Sequence, residues 1–293
     1  MNNIKSEESV KKYNKVLVIS LIPLLLYGFY KNGIKLYIND LVSIFEMFRP
    51  LLFDVIGFLS AILAVKVYDK IKKINNHSVF NTFYPFYGLL IASIVSINTN
   101  ILLFSFLTFI LLLISKLLNL KDINLVALIS LLIIFISNLF KDFTFLNKYE
   151  IANNLNLNAL DYFKGMGSGG INATCVLLLF LSLIILCKQK IYKKEIPLYS
   201  IISYFLCVMV YCIYKNDIGE IFAYLFSNNI LFSYIYIASD SLSSPCTFKG
   251  KVIYSILVGV ISFGLFLIYP PLASIGSILI ASIFSKLLNK ITF

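Results

Sequence analysis

Long apolar runs, separated by short polar segments, are the feature of this 293-residue chain that most limits its fold. A helix needs about 20 mostly apolar residues to cross a bilayer. Runs of roughly 15–20 such residues recur ten times, at approximately 14–30, 50–68, 80–97, 100–118, 123–140, 174–188, 196–214, 218–238, 252–269 and 272–288. Charged residues make up only 13% of the chain, against about 25% in soluble domains. We therefore predict an all-α integral membrane protein with about ten transmembrane helices, forming a single membrane domain over residues 1–293.

Positive charge is concentrated on one side of this predicted topology. If the N-terminus is cytoplasmic, 18 of the 25 basic residues lie in inner segments and the other seven in outer segments. Cytoplasmic loops of membrane proteins carry such an excess. The net charge of +11 comes in short lysine clusters between apolar runs, which is not the pattern of a nucleic-acid-binding face. We expect a multi-pass membrane protein with both termini cytoplasmic, surrounded by the lipid bilayer and without a nucleic-acid partner.

Cysteine and histidine give no sign of a metal or haem site. The five cysteines include no C-x-x-C pair, and the one histidine, His77, lies in a polar inner segment. Zinc and haem need convergent ligands of these types. Packed thiols and a solvated histidine are the expected state.

The ten predicted spans divide into two halves of five around the longest loop, about 141–173. Repeat one covers about 1–140 and repeat two about 174–293. Because each half holds an odd number of spans, the second runs with inverted topology, as in transporter folds built from inverted repeats.

The third span of each half carries helix-breaking residues. The stretch 81–88 contains an amide, a proline and a glycine, and Ser227-Asn228-Asn229 interrupts span eight. Interruptions at matched positions predict a ligand or ion site near the middle of the membrane. The alternative is that Asn228 and Asn229 only hydrogen-bond to neighbouring helices, at about 0.6–2 kcal/mol per bond.

Three carboxylates fall at or near membrane depth, where an ionisable residue is a functional hypothesis by default. Asp54 and Glu220 lie near the outer interface, so snorkelling to water is the alternative explanation for both. Asp240 ends span eight on the inner side, shortly before Ser244-Pro245. A carboxylate there is placed to accept hydrogen bonds from freed backbone N–H groups, to hold Thr247, or to attract a cation.

The segment Ala238–Tyr254 resembles "A-T-D-x-x-[ST]-S-P-x-T-x-x-G-x-x-I" of the NqrB/RnfD family, the membrane subunits of Na⁺-translocating NADH:quinone reductases and Rnf complexes. The matching residues are Asp240, Ser244, Pro245, Thr247 and Gly250. Upstream, Phe226-Ser227-Asn228-Asn229-Ile230 stands where that family has "L-S-G-G-L". The stretch 160–170 is similar to the family's "L-D-L-F-L-G-x-x-x-G-S-x-G".

This resemblance implies a flavoprotein subunit in which electron flow is coupled to Na⁺ or H⁺ movement. The residues that it marks for cofactor binding are Ser168, Gly170, Thr174, Asn228, Asn229, Asp240, Ser244 and Thr247. The glycine-rich loop 165–170 would present N–H groups to a phosphate, and a plain flexible turn is the alternative. The resemblance also implies FMN on a threonine of "S-[GSA]-A-T" after span five, but residues 148–157 contain no threonine. Thr174 follows Asn172-Ala173 without the serine, so we expect FMN or riboflavin to be noncovalent if present.

Three functions follow from these patterns. The first is a membrane subunit of an Rnf/Nqr-type electron-transport complex, partnered by the other membrane subunits. The second is a flavin-free transporter or channel for a small solute or cation, with Asn81, Asn228, Asn229 and Asp240 along the path. The third is a structural membrane partner without a ligand.

Overall fold

The computed structural model describes residues 7–74, 79–120, 122–140, 144–153 and 157–290, and every regular element in these ranges is helical. His77 and the side chain of Asn81 lie outside the described part of the chain.

The main helices follow one another without strands between them in the described residues. The first half contains α1 (Glu7–Phe29), α2 (Arg49–Ile71), α3 (Tyr84–Ile94), α4 (Ile101–Leu117) and α5 (Leu125–Phe140). The second half contains α6 (Val176–Cys187), α7 (Glu195–Lys215), α8 (Ile221–Phe226), α9 (Ile230–Phe232), α10 (Phe248–Ile268) and α11 (Ala273–Ile283). Two helices run on as π-helical turns, α1 through Tyr30–Ile34 and α9 through Ser233–Ala238. Shorter helices lie at Lys35–Ile38, Ile44–Met47, Lys148–Asn153, Ala159–Phe163 and Ser285–Leu288.

Each of the ten apolar runs contains a helix, but the helices differ in length. Four are long and apolar enough to cross a membrane, at Val10–Ile38, Arg49–Ile71, Glu195–Lys215 and Phe248–Ile268. Ile218–Phe226 and Ile230–Ala238 together give a fifth candidate, bent by 50° at its break. Five further apolar helices of the described residues have only 10–17 residues. The all-helical membrane fold is thus confirmed, whereas the count of ten crossings stays a prediction.

Packing within and between the halves is helix on helix. In the first half α2 packs against α3 and α4, and in the second α10 packs against α7 and α11. Across the boundary, α1 packs on α6 and α5 packs on α11. The first and fifth helices of the two halves are therefore neighbours, while the inverted symmetry of the repeats stays a prediction.

Small residues bring α2 and α3 close together. A Cβ placed on Gly57 would lie 2.6 Å from the carbonyl oxygen of Gly88, and 3.1 Å from the Cβ of Ala92. Such small-residue contacts are how helices pack closely in membranes. We expected Gly88 to belong to the interruption of span three, but it lies inside α3.

The two interruptions have different causes. In the first half Pro85 occupies the first turn of α3, where its missing N–H costs nothing, and α3 ends at Ile94 because Val95 is extended. In the second half Asn228 and Asn229 both take positive φ, at 52° and 65°. Asparagine tolerates this left-handed conformation better than other residues with a side chain. The chain therefore breaks between α8 and α9 at the asparagines that predicted it.

Candidate functional site

The loop that follows α5 enters the protein and binds the free end of α3. The N–H of Ile171 donates to the Val95 carbonyl at 3.1 Å, and the N–H of Asn172 donates to the Ser93 carbonyl at 3.1 Å. The last carbonyls of any helix lack partners within that helix. The loop supplies the missing donors, so the early end of α3 is satisfied by protein.

The same loop binds the break between α8 and α9. The N–H of Asn228 donates to the Ser168 carbonyl at 2.8 Å, and the N–H of Gly170 donates to the Asn229 side-chain oxygen. The Asn229 amide nitrogen in turn donates to the Ile94 carbonyl at 3.1 Å. Asn229 thus joins three segments: the loop, the end of α3 and the start of α9. We call residues 165–174, 93–96 and 227–230 the junction.

Gly170 is required by this close approach. A Cβ at this position would overlap the carbonyl group of Ile94. The glycine lets the loop backbone lie directly against the end of α3.

A buried ion pair braces the loop from the side of α1. Lys31 lies in the π-helical turn, and its Nζ is 2.9 Å from Glu150 Oε1 with both side chains under 10% exposed. The same Nζ donates to the Gly167 carbonyl at 2.7 Å. Glu150 Oε2 accepts from the N–H of Asn147 at 2.9 Å, which begins the short helix Lys148–Asn153. Sequence reasoning counted Lys31 only as an outer-loop charge, because nothing in a single sequence marks a partner more than a hundred positions away.

Asp54 points into the protein beside the junction. Its side chain is only 6% exposed, and its Oδ1 accepts from the Asn172 amide at 2.8 Å. That amide also donates to Ser93 Oγ at 3.2 Å. Of the two explanations for Asp54, snorkelling to water is therefore wrong. By contrast, Glu220 is exposed.

Asp240 organises a turn just after Ser233–Ala238, the π-helical turn that continues α9. Its Oδ2 accepts from the N–H groups of Leu242 and Ser243, at 3.3 and 3.0 Å, and from Ser243 Oγ at 2.8 Å. Its Oδ1 accepts from the Tyr87 hydroxyl of α3 at 3.0 Å. The expectation that this carboxylate receives freed backbone N–H groups is confirmed. We call residues 240–247 the Asp240 turn.

Two further side chains hold the Asp240 turn. Lys193, 9% exposed, donates to the Ser244 carbonyl at 2.6 Å and to the Ser244 hydroxyl at 2.8 Å. The Asn124 amide donates to the Ile237 carbonyl at 2.8 Å and to Ser243 Oγ at 3.1 Å. Thr247 faces the next helix, where its hydroxyl accepts from the Gly250 N–H at 3.2 Å and caps α10. Lys193 and Asn124 were not among the predicted site residues, because Lys193 counted only as an inner-segment charge and Asn124 fell at the start of the apolar run 123–140.

The eight residues predicted to bind a cofactor fall into two groups, one at each end of the helical stretch formed by α9 and its π-helical turn, Ile230–Ala238. The junction brings together Ser168, Gly170, Thr174, Asn228 and Asn229. The Asp240 turn holds Asp240, Ser244 and Thr247. That these residues bind a cofactor stays a prediction. Within the described ranges, no group of three or more His, Cys, Asp or Glu side chains is placed to hold a metal ion.

Comparison with known families decides the membership of the chain. The sequence profile of the NQR2, RnfD, RnfE family matches residues 2–293. The chain belongs to this family. The predicted resemblance is thereby confirmed, and this NQR2, RnfD, RnfE member is a multi-pass membrane protein of the Rnf/Nqr type. No curated protein matches it.

Proposed function

We propose that this protein is a membrane subunit of an ion-translocating Rnf/Nqr-type complex, passing electrons through a noncovalently bound flavin coupled to Na⁺ or H⁺ movement. The family match over essentially the whole chain supports the class of complex. The observation that supports ion coupling is the junction, where the two interrupted helices meet the loop 165–174, which we call the inserted loop. Non-helical backbone at membrane depth is tolerated only inside protein or along a water-filled path.

Covalent FMN does not fit the residues of the outer loop. Positions 145–157 contain neither serine nor threonine, and the helix Lys148–Asn153 directs Glu150 into its ion pair. Thr174 is 2% exposed, and its Oγ1 lies 3.4 Å from Lys31 Nζ. A phosphoester on Thr174 would have to displace this packing.

Riboflavin fits the junction better than FMN. In the glycine-rich loop 165–170, which would present N–H groups to a phosphate, those of Gly165, Met166 and Gly170 already donate to protein oxygens. A flavin without a phosphate does not compete for them. Bound flavin would supply the redox chemistry, and the protein would supply its binding and orientation.

The absorbance spectrum of the chain, purified in mild detergent from its native membrane, tests this proposal. We expect a flavin spectrum, flavin in the supernatant after acid precipitation, and Rnf/Nqr-like membrane subunits in the same preparation. A denaturing gel should show no fluorescent band. Thr144 is the one threonine of the loop 141–173 and serves as the control. A band that disappears in Thr174→Ala but persists in Thr144→Ala would overturn the noncovalent assignment.

A flavin-free transporter or channel is the second candidate, because the junction would serve a small solute or cation equally well. The missing phosphoester acceptor is the observation that favours it. A colourless preparation that contains no partner subunit would select this function over the first. The placement in a bacterial cytoplasmic membrane with both termini inside is part of either proposal.

A further inference from the structure

We propose that Asp54 binds the transported monovalent cation, a sodium ion or a proton, at the contact between α2 and the inserted loop. This inference rests on the proposed ion coupling and names the side chain that would carry the charge. The evidence is the state of the Asp54 carboxylate in the described part of the chain.

The first observation is that Asp54 has no cationic partner among the described residues. No lysine or arginine nitrogen of these residues lies within 4.0 Å of its carboxylate, whereas Lys31, Lys116 and Lys251 each lie within that distance of another carboxylate. Arg49, one turn before it on α2, donates instead to the Thr99 carbonyl at 2.9 Å. Lys31, in the π-helical turn that follows α1, forms its ion pair with Glu150. A carboxylate buried without a positive charge is costly, so the group takes up a proton or a cation.

The second observation is an unused oxygen on each of two bonded side chains. Asp54 Oδ2 and Asn172 Oδ1 are both buried, and neither has a hydrogen-bond partner in the described residues. Buried polar atoms almost always have partners, so two orphaned oxygens on adjacent groups call for an explanation. The carboxylate oxygen Asp54 Oδ2 is a hard ligand of the type that hard cations prefer.

The third observation is that the orientation of Asn172 is fixed. Its amide nitrogen donates to both Asp54 Oδ1 and Ser93 Oγ, so its oxygen is held away from both. The oxygen packs against α1 at Gly28, where any Cβ would overlap it. Asn172 is therefore fixed with its amide nitrogen on Asp54 Oδ1, and Asp54 Oδ2 is left as the atom that would bind a cation.

The position of Asp54 relates it to the interrupted helices. Ser93, which shares the Asn172 amide with Asp54, precedes Ile94, the residue bound by Asn229. A cation at Asp54 would thus lie one residue away from the point where the two broken helices meet. This is where a transporter fold of inverted repeats places its ion.

The test measures binding to the purified full chain in detergent, without partner subunits or an electron donor. For sodium, the midpoint of thermal unfolding is compared in NaCl and in choline chloride at equal ionic strength. For a proton, the infrared band of a protonated carboxyl group, which shifts in D₂O, is recorded. Asp54→Asn is the test variant, and Asp122→Asn, an exposed aspartate paired with Lys286, is the matched control.

We expect either a sodium-specific rise of several degrees or a protonated carboxyl band, present in wild type and Asp122→Asn and absent in Asp54→Asn. The first result identifies sodium and the second a proton. If wild type shows neither signal, or if Asp54→Asn keeps it, the proposal is overturned. Because no flavin or partner enters the measurement, its failure leaves the flavin spectrum untouched, and the reverse also holds.

A second variant keeps the test decisive if Asp54→Asn does not fold. Asn172→Ser retains Asp54 and removes the amide group that donates to Asp54 Oδ1. It should raise the half-saturating sodium concentration at least tenfold, or shift the frequency of the carboxyl band. An unchanged response in Asn172→Ser would show that the signal does not arise at the Asp54–Asn172 contact, and would overturn the proposal.

Discussion

The amide of Asn229 donates to the carbonyl oxygen of Ile94 at 3.1 Å, and this bond joins the two interrupted helices directly. The Asn229 oxygen accepts from the Gly170 N–H in the same place. One side chain therefore satisfies two backbone groups that helix breaks leave free.

Asn229→Ala should destabilise the protein strongly. The change leaves the Gly170 N–H and the Ile94 carbonyl without partners, at about 1–3 kcal/mol for each group. Asn228→Ala is the matched control, because Asn228 has the same left-handed backbone but its amide donates only to Ser227 Oγ. Thermal unfolding in detergent should show a clearly lower midpoint for Asn229→Ala than for Asn228→Ala. Equal midpoints would mean that backbone strain, and not the bridging amide, accounts for the effect.

Gly88→Ala should disrupt the packing of α2 on α3. Its new methyl group would overlap the Gly57 carbonyl, which is backbone and has no room to move. Gly264→Ala in α10 is the control, since a Cβ there has no atom within 4 Å. Alanine in a helix interior is favoured over glycine by roughly 0.5–1 kcal/mol. The two substitutions should thus change the unfolding midpoint in opposite directions, and a neutral Gly88→Ala would contradict the close helix contact.

Lys31→Met should lower the stability of the fold, because it leaves the buried Glu150 carboxylate without its positively charged partner. Breaking one side of a buried ion pair costs about 3–5 kcal/mol. The double variant Lys31→Met/Glu150→Leu should recover much of this loss. Glu46→Gln, which removes the exposed pair with Lys148, should change the midpoint little. If Lys31→Met behaves like Glu46→Gln, the Lys31–Glu150 pair is solvated and does not brace the loop.

Asp240→Asn should weaken the Asp240 turn more than Tyr87→Phe does. Asparagine keeps one acceptor oxygen, so it serves either Tyr87 or the N–H groups of Leu242 and Ser243, but not both. Tyr87→Phe removes only one bond. We expect membrane insertion to persist in Asp240→Asn, with ion-coupled activity lost and a lower unfolding midpoint. The exposed Lys249→Gln is the control, and equally mild effects from Asp240→Asn and Lys249→Gln would reduce Asp240 to a surface charge.

The predicted topology is testable with a native thiol. Cys246 is exposed, whereas Cys175 and Cys212 are buried. Because the Asp240 turn is predicted to face the cytoplasm, a membrane-impermeant maleimide should label Cys246 only after the cells are opened. Cys246→Ser should remove most of that label, since Cys187 and Cys207 are only half-exposed, and Leu160→Cys in the outer loop should add one in intact cells. Labelling of Cys246 in intact cells would invert the topology.

What the sequence predicts correctly is local. The break at Asn228 and Asn229 follows from side chains that tolerate positive φ, and the capping role of Asp240 follows from an acidic residue just before a helix break. The long-range contacts lie beyond such reasoning. Asn172 and Asp54 are 118 positions apart, and no periodicity links them. The burial of Lys31 was equally hidden, because a lysine that ends an apolar run has the same local pattern whether it faces water or a carboxylate.

The inserted loop has a mechanical consequence for any transport cycle. It is bonded to α3 in the first half, through Val95 and Ser93, and to the break in the second half, through Ser168 and Asn228. Rocking of one half against the other would shear all of these bonds at once. If the proposed ion movement uses alternating access, we therefore expect a gate within a fixed frame, with the π-helical turns Tyr30–Ile34 and Ser233–Ala238 as segments able to change their winding.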